Sequence, residues 1–126
     1  MPNPVVHFEV IGKDGEKLQR FYGQVFDWDI KADNPMRYGM ISGGEGGGIG
    51  GGIGAAPPDM QPHGVTFYIE VANLDQTLEQ VEKSGGKIEM PPSDVPGGPR
   101  MAQFKDPEGH LVGLIQAGTM QGGSQN

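Results

Sequence analysis

Residues 5–11, VVHFEVI, decide the fold because residues 65–71, VTFYIEV, repeat their alternation about sixty positions later. Apolar and polar side chains that alternate with period two are typical of a β-strand with one buried face. In the first stretch, this alternation places His7 and Glu9 together on one face and Val6, Phe8 and Val10 on the other. Both stretches are therefore predicted to be the first strands of two similar modules.

An amphipathic helix is predicted after each of these strands. Between Asp14 and Phe26 the apolar residues recur three or four positions apart, and Asp14 is typical of an N-cap. The second helix begins after its cap Asn73 and ends before the pair Gly85-Gly86. Three short strands are predicted after each helix, at 28–31, 37–42 and within 47–55 in the first module and at 87–90, 100–104 and 111–115 in the second. In the second module Pro91-Pro92 is expected to end the first of these strands, and DPEG at 106–109 to form a tight turn with a hydrogen bond to the Asp106 side chain. The order βαβββ thus occurs twice.

The repeat predicts a single α+β domain made of two modules. The modules span about 4–56 and 63–117, and the polar segment 118–126 is expected to be a flexible tail. A length of 126 residues fits one hydrophobic core. Each module can cover one sheet face with its helix, so the other faces are free to curl around a shared hollow. The periodicity therefore predicts a central trough large enough for a small molecule.

The composition excludes several classes of partner. Nine Lys and Arg against 16 Asp and Glu give a net charge of −7, which would repel a phosphate backbone. There is no cysteine, so any metal site would need His, Asp or Glu. No apolar run approaches membrane-spanning length, and the first residues lack the pattern of a signal peptide. We therefore expect a cytoplasmic protein that binds neither nucleic acid nor membrane.

Glycine is concentrated in one segment, with nine glycines among the twelve positions from Gly43 to Gly54. Residues 46–51 formally match G-x-G-x-x-G, but a dinucleotide loop needs a helix after it, and residues 55–58, AAPP, follow instead. The missing side chains are expected to enlarge the trough or to let another backbone approach closely.

Three stretches resemble the vicinal oxygen chelate superfamily, the group of glyoxalases, bleomycin-resistance proteins and extradiol dioxygenases. They are VHFEV at 6–10, FYGQVFDW at 21–28 and DPEGH at 106–110, and they are most similar to the small subgroup related to lactoylglutathione lyase. The resemblance implies two βαβββ modules that form a U-shaped, mostly antiparallel eight-stranded sheet with the helices on its outer face. It also implies a homodimer and, in the enzymes of the group, a divalent metal in the trough.

The metal-ligand positions implied by this resemblance are poorly filled. His7 is a competent ligand, whereas the equivalent position of the second module holds Thr66, a weak ligand for a divalent ion. The position of a family glutamate holds Gly113, and its counterpart in the first module falls within 50–52, GGG. We therefore expect no metal and no other cofactor. An irregular metal site made of His7, His63 and Glu9 is the alternative.

The candidate site residues follow from the same alternation. If the protein is an enzyme, His7 is expected to act as general base or acid, and Glu9 or Tyr68 to polarise a carbonyl group. Methionines on strands that border the trough would suit a flexible apolar ligand, although methionine commonly fills gaps in a core. The residues predicted to bind the ligand are Thr66, Met40, Met101 and Gly113.

The function predicted is the binding of a small organic molecule in a metal-free trough, with the reaction, if any, left open. One alternative is a metal-dependent lyase or isomerase of glyoxalase type, in which the ion stabilises an enediolate. The other is a sequestering protein like the bleomycin-resistance members, which hold their ligand without turnover. Fold resemblance does not decide among the three.

Overall fold

The computed structural model describes residues 2–43, 48–62 and 64–119. The strands are β1 (Val5–Gly12), β2 (Gly39–Ile41), β3 (Gly50–Ala55), β4 (Gly64–Val71), β5 (Lys87–Asp94), β6 (Arg100–Lys105) and β7 (Leu111–Gln116), and the helices are α1 (Gly15–Phe26) and α2 (Leu74–Lys83). Two helices with parallel and antiparallel strand pairs confirm the predicted α+β class.

The chain divides into two compact units. The N-terminal unit is residues 7–66, and the described residues of the C-terminal unit are 2–6 and 67–119. The single-domain organisation with modules at 4–56 and 63–117 stays a prediction. The predicted tail at 118–126 falls almost entirely outside the described residues.

In the N-terminal unit, β3 lies between β1, to which it is parallel, and β2, to which it is antiparallel. Helix α1 begins where predicted, because the Asp14 carboxylate accepts a hydrogen bond from the backbone N–H of Lys17 at 3.0 Å. The helix can lie close to the sheet because Gly15 has no side chain: a Cβ there would be 2.9 Å from the carbonyl carbon of Gly54. The Gln19 amide then donates to the Ile53 carbonyl of β3 at 2.8 Å and ties the helix to the strand.

The predicted strand at 28–31 is reduced to a single β-bridge between Lys31 and Met40, so the described residues form seven strands where eight were expected. A tight turn follows Lys31 at once, in which the Asn34 N–H donates to the Ala32 carbonyl at 2.9 Å. Before the bridge, the Trp28 ring stacks on Tyr22 at 5.7 Å between ring centroids. Side-chain packing and the turn therefore leave too little extended backbone for a full strand.

In the C-terminal unit, β7 lies between the parallel strand β4 and the antiparallel strand β6, and β5 pairs with the other side of β6. Asn73 caps α2 by accepting from the Gln76 N–H at 2.9 Å, and Gly85 ends it with a positive φ of 100°, both as predicted. The helix covers one sheet face and forms a core with it, made of Val71, Leu74, Leu78, Ala102 and Leu114.

Two sequences of this unit were predicted to interrupt its strands, and only one of them does so. Strand β5 continues through Pro91-Pro92, which were predicted to end it, because the prolines fall where the pairing register with β6 shifts and no ladder N–H is needed. The turn at 106–110 forms as predicted: the Asp106 carboxylate accepts from the N–H groups of Glu108 and His110, each at 2.9 Å. These two hydrogen bonds, and above all the one from the His110 backbone, lower the pKa of Asp106.

Neither of the two helices of the described ranges is long and apolar enough to cross a membrane.

Candidate functional site

Strand β1 presents His7 and Glu9 on the same side, as the alternation predicted, and glycines of β3 lie beside both of them. In the parallel register His7 pairs with Gly50 and Glu9 with Gly52. Neighbouring residues of a paired register point to the same sheet face. The space that side chains on β3 would take is therefore available to groups that come from elsewhere in the unit.

Tyr38 fills that space and joins the two β1 residues through its hydroxyl. The hydroxyl donates to the Glu9 carboxylate at 2.9 Å and lies 3.1 Å from Nε2 of His7. A hydroxyl has a single proton, and here Glu9 accepts it, so Nε2 of His7 must be the donor in the second hydrogen bond. The arrangement fixes both the tautomer and the orientation of the imidazole.

Burial lowers the pKa of His7, and the nearby carboxylate of Glu9 only partly opposes this shift. The imidazole is therefore neutral at neutral pH, which is the form that can accept a proton. Its ordinary pKa of about 6.5 already lies below physiological pH, and the lowered value reinforces the neutral form.

The Tyr38 side chain is held from both sides. The Asn34 amide brackets its backbone, accepting from the Tyr38 N–H at 2.9 Å and donating to the Tyr38 carbonyl at 2.8 Å. On the other side, the ring lies over Gly52 so closely that an added Cβ would overlap it, and it also contacts the Gly54 position. The glycines at 52 and 54 therefore leave the space that the Tyr38 ring occupies. Neither predicted use is observed at Gly52: the space is filled rather than open, and it is filled by a tyrosine ring rather than by another backbone.

In the C-terminal unit a second tyrosine ring packs over a glycine in the same way. Tyr68 on β4 pairs in register with Gly113 on β7, and its ring covers that glycine so closely that a Cβ would overlap it. The ring is buried, and its hydroxyl accepts a hydrogen bond from the Gln103 amide at 3.1 Å. Two of the predicted site residues, Tyr68 and Gly113, are thus brought together.

The other predicted residues differ in burial. Thr66 is 2% exposed, and its hydroxyl makes no hydrogen bond within the described part of the chain. A buried hydroxyl without a partner is costly, so a ligand or an ordered water is the natural acceptor or donor for it. Met40 lies on β2 beside Gly52 and is 44% exposed, while Met101 on β6 is half-buried. His63 lies outside the described residues.

The residues present do not fit the divalent metal that the family resemblance implies. His7 and Glu9 are both engaged with the Tyr38 hydroxyl, and tyrosine rings fill the space at Gly52 and Gly113 that a ligand side chain would need. Across 2–43, 48–62 and 64–119, no three His, Asp or Glu side chains cluster in a way that could hold an ion. A metal site needs about three protein ligands.

Tyr38 is the residue that sequence reasoning missed. It is separated from Glu9 by 29 positions and from His7 by 31. The predicted strand at 37–42 contains it, but nothing in the local pattern indicates that its ring crosses to β1. The glycines at 50–54 are the signal that could have found it, since a run of small residues on a buried strand needs a large group to fill the space above it.

The fold agrees with the family comparison. Residues 5–114 match the family model described as the Glyoxalase/Bleomycin resistance protein/Dioxygenase superfamily. The match covers most of the chain, and the chain belongs to this superfamily.

Curated relatives are similar over part of their length. "Putative glyoxylase CFP32" of Mycobacterium tuberculosis is 31% identical over 110 residues, which are 82% of this chain and 42% of that protein. "Anthracycline biosynthesis protein DnrV" of Streptomyces peucetius is 36% identical over 69 residues, which are 52% of this chain and 25% of that protein. The chain therefore spans less than half the length of these relatives.

Solved structures share the fold. A superfamily member from Vibrio splendidus is 18% identical with a TM-score of 0.59, covering 91% of this chain and 99% of its own. Methylmalonyl-CoA epimerase from Streptomyces coelicolor is 16% identical with a TM-score of 0.65, covering 97% of this chain and 100% of its own. At such low identity these likenesses show the fold and no more.

Proposed function

We propose that the chain binds a small organic molecule with a polar, oxygen-bearing group, and that it does so without a resident metal ion. The polar centre of the site is the hydrogen-bonded set His7–Tyr38–Glu9, which carries the proposal because it joins a neutral imidazole, a phenol and a carboxylate within direct contact. We propose ligand-binding roles for Thr66 and Met40 of the same unit as well, and the ligand-binding roles of Met101 and Gly113 stay predictions.

The chemistry that this set supports is proton transfer. A neutral, partly buried imidazole is a competent general base, and its protonated form would be stabilised by the nearby Glu9 carboxylate. Tyr38 is the orienting residue between them. Gln103 holds the phenolic hydroxyl of Tyr68 in the other unit, and the catalytic role of Tyr68 stays a prediction. If turnover occurs, His7 moves the proton and Glu9 compensates the charge.

Metal content tests the first half of the proposal. The protein, purified without a chelator and dialysed against metal-free buffer, is expected to hold far less than one equivalent of Zn, Ni, Mn or Fe in elemental analysis, because the donor set is incomplete. One tightly held equivalent that His7→Ala releases while the fold is retained would contradict the proposal and support the metal-dependent lyase.

Ligand binding tests the second half, with one probe taken from a relative's name and one from the resemblance to lactoylglutathione lyase. An anthracycline and the hemithioacetal of methylglyoxal and glutathione are titrated into chelator-treated protein, and at least one is expected to raise the melting temperature. His7→Ala is expected to abolish the shift. The matched control is His110→Ala, because His110 is exposed in the 106–110 turn and contacts Asp106. Equal loss in both variants, or no shift with either probe, counts against the site.

The fate of the ligand separates an enzyme from a sequestering protein. A ligand that returns chemically unchanged after prolonged incubation indicates sequestration, as proposed for the alternative of bleomycin-resistance type. A product that forms with wild type and His110→Ala, but not with His7→Ala, indicates catalysis through the imidazole. Both outcomes keep the binding site and differ only in the chemistry that follows.

A further inference from the structure

A second concave site lies on the N-terminal unit, in a groove of about 420 Å³ between α1 and the segment 28–37. None of His7, Tyr38 and Glu9 lines it, so it is distinct from the site proposed above. Trp28, Ile30 and Gly23 supply its apolar surface. Its polar side chains are Glu16, Gln19, Arg20, Gln24 and Arg37.

The groove exists because the segment approaches α1 at a residue without a side chain. A Cβ at Gly23 would lie 3.4 Å from the Trp28 carbonyl oxygen and 3.6 Å from Cδ1 of Ile30, so the apolar part of the segment rests directly on the helix. Arg20 and Gln24 are spaced four positions apart along α1 and therefore project from the same helix face. An apolar patch is thus bordered by hydrogen-bond donors.

Arg37 is fixed in an uncommon backbone conformation at this groove. Its φ is 55°, in the left-handed region that costs a non-glycine residue energy and persists only where neighbouring contacts hold it. Here its N–H donates to the Asn34 carbonyl at 3.0 Å, and its own carbonyl accepts from the Gln19 amide at 3.1 Å. The contacts hold the guanidinium at the groove, although a glycine or asparagine would adopt this backbone more easily.

One carboxylate of the chain already pairs with a guanidinium of the groove. The Glu16 carboxylate lies 2.9 Å from the Arg37 guanidinium, and the two side chains remain 58% and 70% exposed. Such an exposed ion pair is weak, so an external carboxylate can replace Glu16 on the guanidinium. Two arginines and one glutamate are the charged residues that line the groove, so it carries a net positive charge on a chain whose net charge is −7.

We propose that this groove binds a small organic carboxylate. The carboxylate pairs with the guanidinium groups of Arg37 and Arg20, and the apolar body of the ligand covers Trp28 and Ile30. Glu16 competes for the same guanidinium and so lowers the affinity for the ligand.

Trp28 makes the proposal directly measurable, because it is the one tryptophan in the sequence. Benzoate is expected to change its fluorescence saturably, and benzamide, which has the same shape without the charge, is not. Arg37→Gln is expected to weaken benzoate binding by roughly tenfold, the effect of losing one charged hydrogen bond. Lys31→Gln is the matched control, since Lys31 lies in the same segment but pairs with Asp29 and does not line the groove.

Glu16→Gln is expected to change the affinity for benzoate in the opposite direction. A variant that merely damages the fold would not bind benzoate more tightly. Removal of the competing carboxylate is expected to tighten benzoate binding several-fold. The proposal is overturned if benzoate causes no saturable change in wild type or in Glu16→Gln, or if benzamide binds equally well. It is likewise overturned if Arg37→Gln keeps the wild-type affinity, or if Lys31→Gln loses as much affinity as Arg37→Gln.

Discussion

At the scale of single residues, the Tyr38 hydroxyl decides the state of the site. It donates its proton to Glu9, so the His7 imidazole has to carry its own proton on Nε2 to complete the pair. Burial then keeps that imidazole neutral. One phenol thus sets the tautomer of a histidine and holds a carboxylate beside it, which is the arrangement a general base needs.

The lowered pKa of His7 predicts a specific pH dependence of stability. Between the folded pKa and the unfolded value of about 6.5, the unfolded chain binds more protons than the folded one, so the free energy of unfolding falls as the pH drops below about 6.5. His7→Gln is expected to lack this loss of stability at acid pH. Above neutral pH, the free energies of unfolding of the two proteins are expected to change with pH in the same way. Urea denaturation at several pH values measures the difference. A difference that grows in the wild type's favour on acidification would show that the folded pKa is raised instead.

At the scale of elements, each unit packs one tyrosine ring against a glycine on a neighbouring strand. Tyr38 lies over Gly52 of β3, and Tyr68 lies over Gly113 of β7. In both cases the hydroxyl is hydrogen-bonded to a side chain, Glu9 in one unit and Gln103 in the other. The glycines are required by the rings, so a side chain on either strand would displace the tyrosine or strain the sheet.

Gly113→Ala is therefore expected to destabilise the protein by about 1–3 kcal/mol, the usual cost of overpacking a core. The new methyl group would overlap the Tyr68 ring, which is buried and has no room to move. In a Tyr68→Ala background the same substitution should cost much less, because the overlapping ring is gone. Urea denaturation of the four proteins in this cycle gives the coupling energy. Additive costs would mean that the ring does not depend on the glycine.

At the scale of the whole molecule, α1 carries apolar side chains that the described part of the chain covers by less than half. Phe21, Val25 and Phe26 are each more than half exposed. The curated relatives are more than twice as long as the segment they share with this chain, so they have room for a second domain of similar size. The homodimer expected from the family resemblance remains our prediction, with these side chains of α1 in its interface.

Light scattering is expected to give twice the chain mass of 13.4 kDa. Phe21→Ser combined with Phe26→Ser should weaken the dimer by at least roughly tenfold, because these rings would lose their apolar partner surface. Phe67→Ser is the control, since Phe67 is 45% exposed but lies on β4. A monomeric wild type, or a dimer equally weakened by the control substitution, would remove α1 as the interface.

The sequence by itself determined the parts of the fold that depend on local spacing. Both helix caps, the alternating first strands and the 106–110 turn follow from side chains within a few positions of one another, and each formed where the pattern predicted. It also indicated that His7 and Glu9 share a strand face, because that follows from period two alone.

Only the tertiary structure decided which side chain contacts His7 and Glu9 on that strand face. Tyr38 reaches His7 and Glu9 across about thirty residues, and no local period encodes a contact at that separation. The same reason explains the lost strand at 28–31: its extended pattern was outweighed by stacking of the Trp28 ring on Tyr22 and by the turn that follows. Which side chains fill the space over the glycines depends on the register of the strands. That register places the Tyr38 ring over Gly52 and the Tyr68 ring over Gly113.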